Sequence, residues 1–333
     1  MKRCELMRAT IFAIWALVHS ATYQVSGQTP SAGVQSNKTG GDVARVRFTS
    51  GNSALKIPLD IDNNIILMQV RVNGSRLLKF IFDTGASHTI LNSQRAAELG
   101  LKSEGEVSGT ATGGRIQGSY ATGVSLSVAG AEVSNQLVAL IPFPAVPGFE
   151  FDGTIGYDFI NQFVIEIDYL KKTMNLYDPR TYAYKGQGGI IPLLLAGRRT
   201  PLVLAQITLE QRAPVTANLE LDTGLDGTFV IYGPFANKHE LLGAMPNAVE
   251  NRARGAGGEQ SQVLGQFKAV QLGQFTMKNP PAALTEAKDE SDGIVGGEIL
   301  RRFKVTLDYS RKRMILEPNK SFNDPYNIEK GDD

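Results

Sequence analysis

Phe80-Ile-Phe-Asp83-Thr84-Gly85-Ala86-Ser87 and Leu219-Glu-Leu-Asp222-Thr223-Gly224 are two copies of one pattern, an apolar run that ends in Asp-Thr-Gly. One such triplet says little, because three common residues recur by chance and often form an ordinary turn. These two copies sit inside a longer repeat. Asp152-Gly153-Thr-Ile155-Gly156 returns as Asp292-Gly293-Ile-Val295-Gly296 at an offset of 140, which also aligns Phe163 with Phe303, Asp168-Tyr169 with Asp308-Tyr309 and Met174 with Met314. The triplet aspartates lie 139 apart, and Ile57-Pro58-Leu59 upstream matches Ile191-Pro192-Leu193. A unit this long is no solenoid repeat. It predicts two similar lobes that bring two carboxylates together across a pseudo-twofold axis.

Each half reads as mostly strand. Val70 and Val72 alternate with Gln69, Arg71 and Asn73, and Asn73-Gly74 then marks a tight hairpin turn. The returning strand, Leu77 to Phe82, delivers Asp83 at its carboxyl end. A short strand (Thr89-Ile-Leu) and a helix from about Ser93 to Leu99 follow, with Gly100 as the stop. In the second half Phe229-Val-Ile precedes a helix starting near Pro234 and ending at Leu242-Gly243. The expected fold is all-β with short helices, in lobes spanning residues 45–180 and 181–318.

The 333-residue chain has 42% apolar residues and a net charge of +1, so nothing points to a polyanion such as nucleic acid as partner. Lys2, Arg3 and Arg8 precede or flank an apolar run from Ala9 to Val18, with small residues at Ser20-Ala21 and Ser26-Gly27. That layout is a secretory signal peptide over 1–27, too short for a comfortable membrane span. The alternative is an uncleaved anchor. Residues 28–44 read as a flexible leader and 319–333 as a loose polar tail. Cys4 is the only cysteine and lies before the apolar run, so cleavage leaves no disulfide and no lipoprotein site. Cleavage also moves the formal charge from +1 to −1. The expected location is periplasmic or secreted, without stable membrane insertion.

The histidines are His19, His88 and His239. With no cysteine in the mature chain they offer no Cys/His metal cluster and little basis for a Ser-His or Cys-His nucleophile. His88 and His239 read as structural or surface residues. Neither Gly113-Gly114 nor Gly255-Ala-Gly257-Gly258 has the Lys or the spacing of a phosphate cradle. No metal or cofactor is expected.

On its doubled Asp-Thr-Gly and apolar-apolar-Gly motifs, the chain resembles two-lobed aspartic peptidases of the retropepsin/pepsin type over roughly residues 45–318, closest to exported bacterial members. The resemblance implies an endopeptidase, acting on peptide or protein as a monomer. In that family a water activated between two aspartates attacks the peptide carbonyl, which assigns the base and acid roles to Asp83 and Asp222. Two carboxylates about 3 Å apart do not both ionise easily, the behaviour for which aspartic-protease dyads are themselves the type case. Gly85 and Gly224 let the backbone turn beside the carboxylates, and Thr84 and Thr223 are expected to bond across the axis. Ser87 beside Asp83, against Leu225 beside Asp222, suggests Asp222 as the proton holder, with optimum activity on the acid side of neutral.

Ala111-Thr-Gly113-Gly114-Arg115-Ile-Gln-Gly118 lies where the family has its flap, and Gly113, Gly114 and Arg115 are candidate substrate contacts. Residues 254–258 form the equivalent loop of the second lobe. Asp226 stands where retropepsins have an aspartate that meets an arginine just after the apolar-apolar-Gly motif. Gly297 occupies the arginine position here, with Arg301 and Arg302 nearest. Two other readings compete, a catalytically silent peptide-binding relative and an unrelated β-sandwich adhesion module. The second leaves the duplicated landmarks unexplained. N-terminal sequencing of exported protein should find a start between about Ala21 and Thr29. Recovery of Met1 or Lys2 would point to an anchor.

Overall fold

The computed structural model describes residues 44–143, 149–195, 199–245, 247–255 and 257–326. The expected signal peptide and nearly all of the leader therefore lie outside the described residues. Among the described residues, twenty-three strands and four short α-helices make the fold all-β, in two similar lobes. No described helix is long and apolar enough to cross a membrane.

Six strands join the lobes, in the order Gly189–Pro192, Arg313–Pro318, Phe303–Asp308, Val164–Asp168, Thr173–Tyr177, Ser53–Asp62. The two central strands are antiparallel, and Glu166 faces Thr306, its repeat equivalent 140 positions on. The pseudo-twofold axis therefore runs between those two residues. Flanking registers obey the same symmetry, with Ile57 opposite Met174 and Ile191 opposite Met314. Alternation turns Ile165, Ile167, Val305 and Leu307 into a core that is continuous through both lobes. Each such side chain contributes about 1.5–3 kcal/mol on burial.

Within each lobe the strand that carries the triplet is placed by the second motif. Leu78–Phe82 pairs in parallel with Gly153–Ile155, and Val215–Leu221 does the same with Gly293–Val295. The N–H of Asp83 donates to the Ile155 carbonyl and that of Asp222 to the Val295 carbonyl, both at 3.0 Å. Both aspartates thus leave their strands at the same height.

Local signals were mostly sufficient. Asn73 and Gly74 take φ values of 49° and 74°, as a two-residue hairpin turn requires. The first-lobe helix, Ser93–Glu98, is capped by the Asn92 side chain and followed by Gly100 at φ 69°. The second-lobe helix is shorter than its apolar run suggests. It spans Gly233–Lys238, Glu240 turns left-handed at φ 48°, and Leu242–Ala244 forms a separate 3-10 turn.

The polar stretch after residue 318 begins docked rather than loose. Arg302 is 1% exposed, bonds Glu298 Oε1 at 2.7 Å, and donates to the carbonyls of Phe322 and Asp324 at 3.2 and 2.7 Å. Its guanidinium sits 4.0 Å from the Tyr326 ring centre, while Phe322 packs edge-on against Phe303. A buried guanidinium must satisfy its fork of donors, and the carbonyls of residues 321–325 do so. Composition does not reveal that demand. Arg302→Met should cost roughly 1–3 kcal/mol, because it takes the donor from the carbonyls of Phe322 and Asp324. The readout is a lower denaturant midpoint at unchanged slope.

Candidate active site

The triplets meet at the axis. The Thr84 N–H donates to Thr223 Oγ1 and the Thr223 N–H to Thr84 Oγ1, both at 3.1 Å. The hydroxyls reach further across, Thr84 to the Leu221 carbonyl at 2.5 Å and Thr223 to the Phe82 carbonyl at 2.7 Å. These four reciprocal bonds are buried and each contributes about 1 kcal/mol. More to the point, they allow only one relative setting of the two loops.

That setting presses the carboxylates together. Asp83 and Asp222 are both 0% exposed. Each accepts at Oδ1 from the N–H of its own glycine, Gly85 at 2.8 Å and Gly224 at 2.7 Å. Each glycine also lies against the other lobe's aspartate. A Cβ on Gly85 would stand 2.8 Å from the Asp222 carboxyl carbon, and one on Gly224 would stand 2.6 Å from that of Asp83. No side chain fits there. The Oδ2 atoms of both aspartates are buried without a hydrogen-bond partner in the protein.

Burial, then the charge and closeness of Asp222, pushes the Asp83 carboxyl well above the usual carboxylate range. Burial also pushes Asp222, up to about 6, against the pull of the neighbouring Asp83 carboxyl and of the N–H groups of Gly224 and Leu225. The buried pair therefore shares one proton, with both carboxyls held above the usual range.

Each lobe also sends one residue across to the other. Asn64 donates to the Asp226 carbonyl at 2.9 Å and to Glu298 Oε2 at 3.2 Å. Arg199 donates to the Ser87 carbonyl at 3.4 Å and to Asp158 Oδ1 at 2.8 Å. Ser87 and Asp226 are repeat equivalents, as are Asp158 and Glu298, so these are two versions of one clamp. Arg301 and Arg302 both bond Glu298, at 2.6 and 2.7 Å, so these two arginines near Asp226 are engaged with Glu298. His88 is buried and bonds Asp158 through Nδ1 at 2.9 Å, and His239 packs its ring 4.4 Å from that of Phe235. Both contacts are structural.

The two glycine-rich loops are hairpin tips, between Glu104–Ala111 and Gly114–Val128 and between Val249–Gly255 and Gly258–Gln266. The tips touch each other. The Gly257 N–H donates to the Thr112 carbonyl at 2.9 Å, and a Cβ on Gly113, itself at φ 92°, would fall 2.3 Å from the Gly258 carbonyl. Gly113 and Gly114 are thus at the tip contact, while Arg115, opposite Thr110, is exposed. Among the described residues no group of three or more His, Cys, Asp or Glu is gathered as metal ligands.

The sequence matches the family described as Aspartyl protease twice, over residues 68–159 and 205–299, together more than half of the chain. The chain belongs to the aspartyl protease family. The two matched stretches each contain one Asp-Thr-Gly and one Asp-Gly-x-Ile/Val-Gly motif, so this family member carries the family unit in both lobes. No curated protein matches the chain closely enough to be set beside it.

Sequence reading missed Asn64, Arg199 and Glu220 at this site. Glu220 was visible as an acid inside the apolar run that precedes Asp222. Asn64 and Arg199 had no signal, because each acts on the opposite lobe.

Both aspartates have folded-state values above the ordinary carboxylate value of about 4. Their contribution therefore favours the folded form at low pH. It is lost as pH rises through the raised values of the pair, about 6 for Asp222. Asp83→Asn removes the repulsion, so at pH about 8 the variant should be more stable than wild type by roughly 1–3 kcal/mol. Near pH about 4 the two should agree, in thermal or denaturant unfolding across that range.

Proposed function

We propose that this aspartyl protease family member is an exported endopeptidase in which Asp83 and Asp222 hydrolyse peptide bonds through a shared water. The observation that carries the reading is the pair of buried carboxylates, each packed on the other's glycine, with both Oδ2 atoms left for substrate and water. Asp222, ionised, takes a proton from the attacking water as its oxygen bonds to the scissile carbonyl carbon. Asp83, protonated, passes its proton to the carbonyl oxygen. In the tetrahedral adduct that results, the proton on Asp222 goes to the amide nitrogen. The C–N bond then breaks, and one adduct hydroxyl returns its proton to Asp83. Acid and amine leave, and the dyad is back in its starting state.

The flaps supply access. Gly113, Gly114 and Arg115 lie on the first hairpin, and its tip must part from Gly257 before a peptide enters and close again over it. Below that hairpin, Val107, Ile116 and Tyr120 cluster with Ile81, on the face of the strand that also carries Asp83. This apolar lining suits hydrophobic side chains beside the scissile bond. The natural partner is thus a peptide or protein met outside the cytoplasm.

Purified mature protein should cleave casein or a peptide library and be inhibited by a pepstatin-like statine. Asp83→Asn and Asp222→Asn should each lower kcat by at least about 1000-fold with the fold intact, since the two act as one unit. Activity should follow a bell in pH whose two limbs belong to the dyad as a pair, displaced upward from ordinary carboxylate values by burial. Burial thus moves the window upward from the acid optimum that the resemblance suggests. Tight statine binding without cleavage of any peptide would mark a silent peptide-binding relative instead. Near-wild-type activity in either variant would sink the shared-water mechanism.

A further inference from the structure

The inner faces of the two glycine-tipped hairpins are lined differently. Gly113 and Gly257 are repeat equivalents 144 positions apart, as are Gly114 and Gly258. A Cβ on Gly113 would fall 2.3 Å from the Gly258 carbonyl, and one on Gly257 would fall 2.2 Å from the Gly114 nitrogen. The tips thus meet reciprocally, and the pseudo-twofold axis passes between them as it does between the aspartates. Side chains at equal distance from the two tips therefore lie on opposite sides of that axis.

In the first hairpin Gly118 pairs with Val107 and lies against the Ile141 side chain. Val107 and Ile141 belong, with Ile116 and Tyr120, to the apolar cluster beneath that hairpin. The residues 144 positions on are Asn251, Gln262 and Thr285, paired side by side across three strands. Gln260 likewise takes the place of Ile116. Leu284 points into the main core, so Thr285 and its partner Gln262 point the other way, as Ile141 does in the first lobe. The charged residues of the second hairpin alternate to its outer surface, where Arg254 bonds Glu259 at 2.7 Å. Its inner face is therefore neutral but polar.

Gln262 is 5% exposed, and its Nε2 has no hydrogen-bond partner among the described residues. The acceptors beside it serve the backbone instead. Asn251 Oδ1 takes the Arg252 N–H at 2.5 Å, and Thr285 Oγ1 takes the Ala287 N–H at 3.3 Å. A buried amide donor without an acceptor is a costly arrangement, relieved when a ligand supplies the oxygen. The first lobe has glycine at this position, so the symmetry of the fold does not call for Gln262.

We propose that Gln262 determines the specificity of a polar subsite on the second-lobe side of the cleft, which takes a substrate side chain bearing a neutral amide, Gln or Asn. Such a side chain supplies the missing acceptor, and Gln262 Oε1 can accept its N–H in return. The apolar lining of the first lobe then takes a hydrophobic side chain on the other side of the scissile bond. This rests on the peptide lying across Asp83 and Asp222, and adds to that reading the class of bond cleaved, one flanked by an apolar residue and an amide-bearing one.

The test compares peptides that differ only in carrying Gln or Leu next to the scissile bond, on each side in turn. Statine analogues of the same pairs measure binding to the same mature protein. On one side only, Gln should raise kcat/KM over Leu by roughly 10-fold and tighten statine binding by a similar factor. Gln262→Met keeps the length and loses the amide, and it should abolish the preference in both readouts. The wild-type comparison decides by itself if Gln262→Met does not fold. Equal kcat/KM and Kd for Gln and Leu on both sides, or a preference for Gln that survives in Gln262→Met, would overturn the proposal. Wild-type protein that binds the Gln statine preferentially yet cleaves nothing would uphold the subsite and sink only the catalytic reading.

Discussion

The reciprocal hydrogen bonds between Thr84 and Thr223 are the constraint on which the rest of the site depends. Two carboxylic acids repel when both are ionised, and each loses hydration on burial. Nothing about Asp83 and Asp222 alone would hold them together. The threonines do so by giving each loop a donor and an acceptor that only the other loop can satisfy. Once those bonds are made, the glycine after each threonine rests on the opposite carboxyl, and the spacing leaves no room for a Cβ. The raised affinity for one proton follows from that enforced closeness and from burial.

A site held this tightly needs a rigid support, and the support is the sheet shared by both lobes. Its two central strands cross the axis at Glu166 and Thr306, so a rotation of one lobe against the other would break their ladder. Two side-chain clamps reinforce it at the rim, Asn64 on the second lobe and Arg199 on the first. Glu298 links one clamp to Arg302 and, through it, to residues 321–325. The end of the described chain thereby becomes part of the framework beneath the second aspartate loop. The two glycine-tipped hairpins differ in kind. Their tips meet mainly through backbone, glycine on glycine, with the Gly257–Thr112 bond between them. Few side chains must repack for that contact to open.

Duplication sets a symmetric frame, and the two halves differ in the residues that surround it. Each aspartate accepts from the N–H of its own glycine, but the neighbours differ. Glu220 stands where the first half has Ile81. Arg199 stands where the first half has Asn64. Each difference makes the two sides of the cleft unequal in charge, which a symmetric pair of identical chains does not achieve within one ground state. A peptide lying across this axis would meet different neighbours on either side of the dyad.

The sequence by itself determined the two-lobed all-β architecture, because a doubled Asp-Thr-Gly with its doubled partner motif leaves few other arrangements. It also determined the local turns and caps, since Asn73-Gly74, Asn92 and Gly100 act on their own neighbours through backbone geometry. It named Asp83 and Asp222 as the pair to watch for the same reason. Only the tertiary structure decided how closely the two carboxyls meet and how fully they are buried, because that depends on loops converging from both lobes. It likewise decided the crossing contacts of Asn64 and Arg199 and the docking of Phe322 and Tyr326 around Arg302. In each of these cases a polar group is satisfied by a partner that burial brings close, from far along the chain or from a segment whose composition reads as loose, and spacing in sequence carries no record of such a meeting.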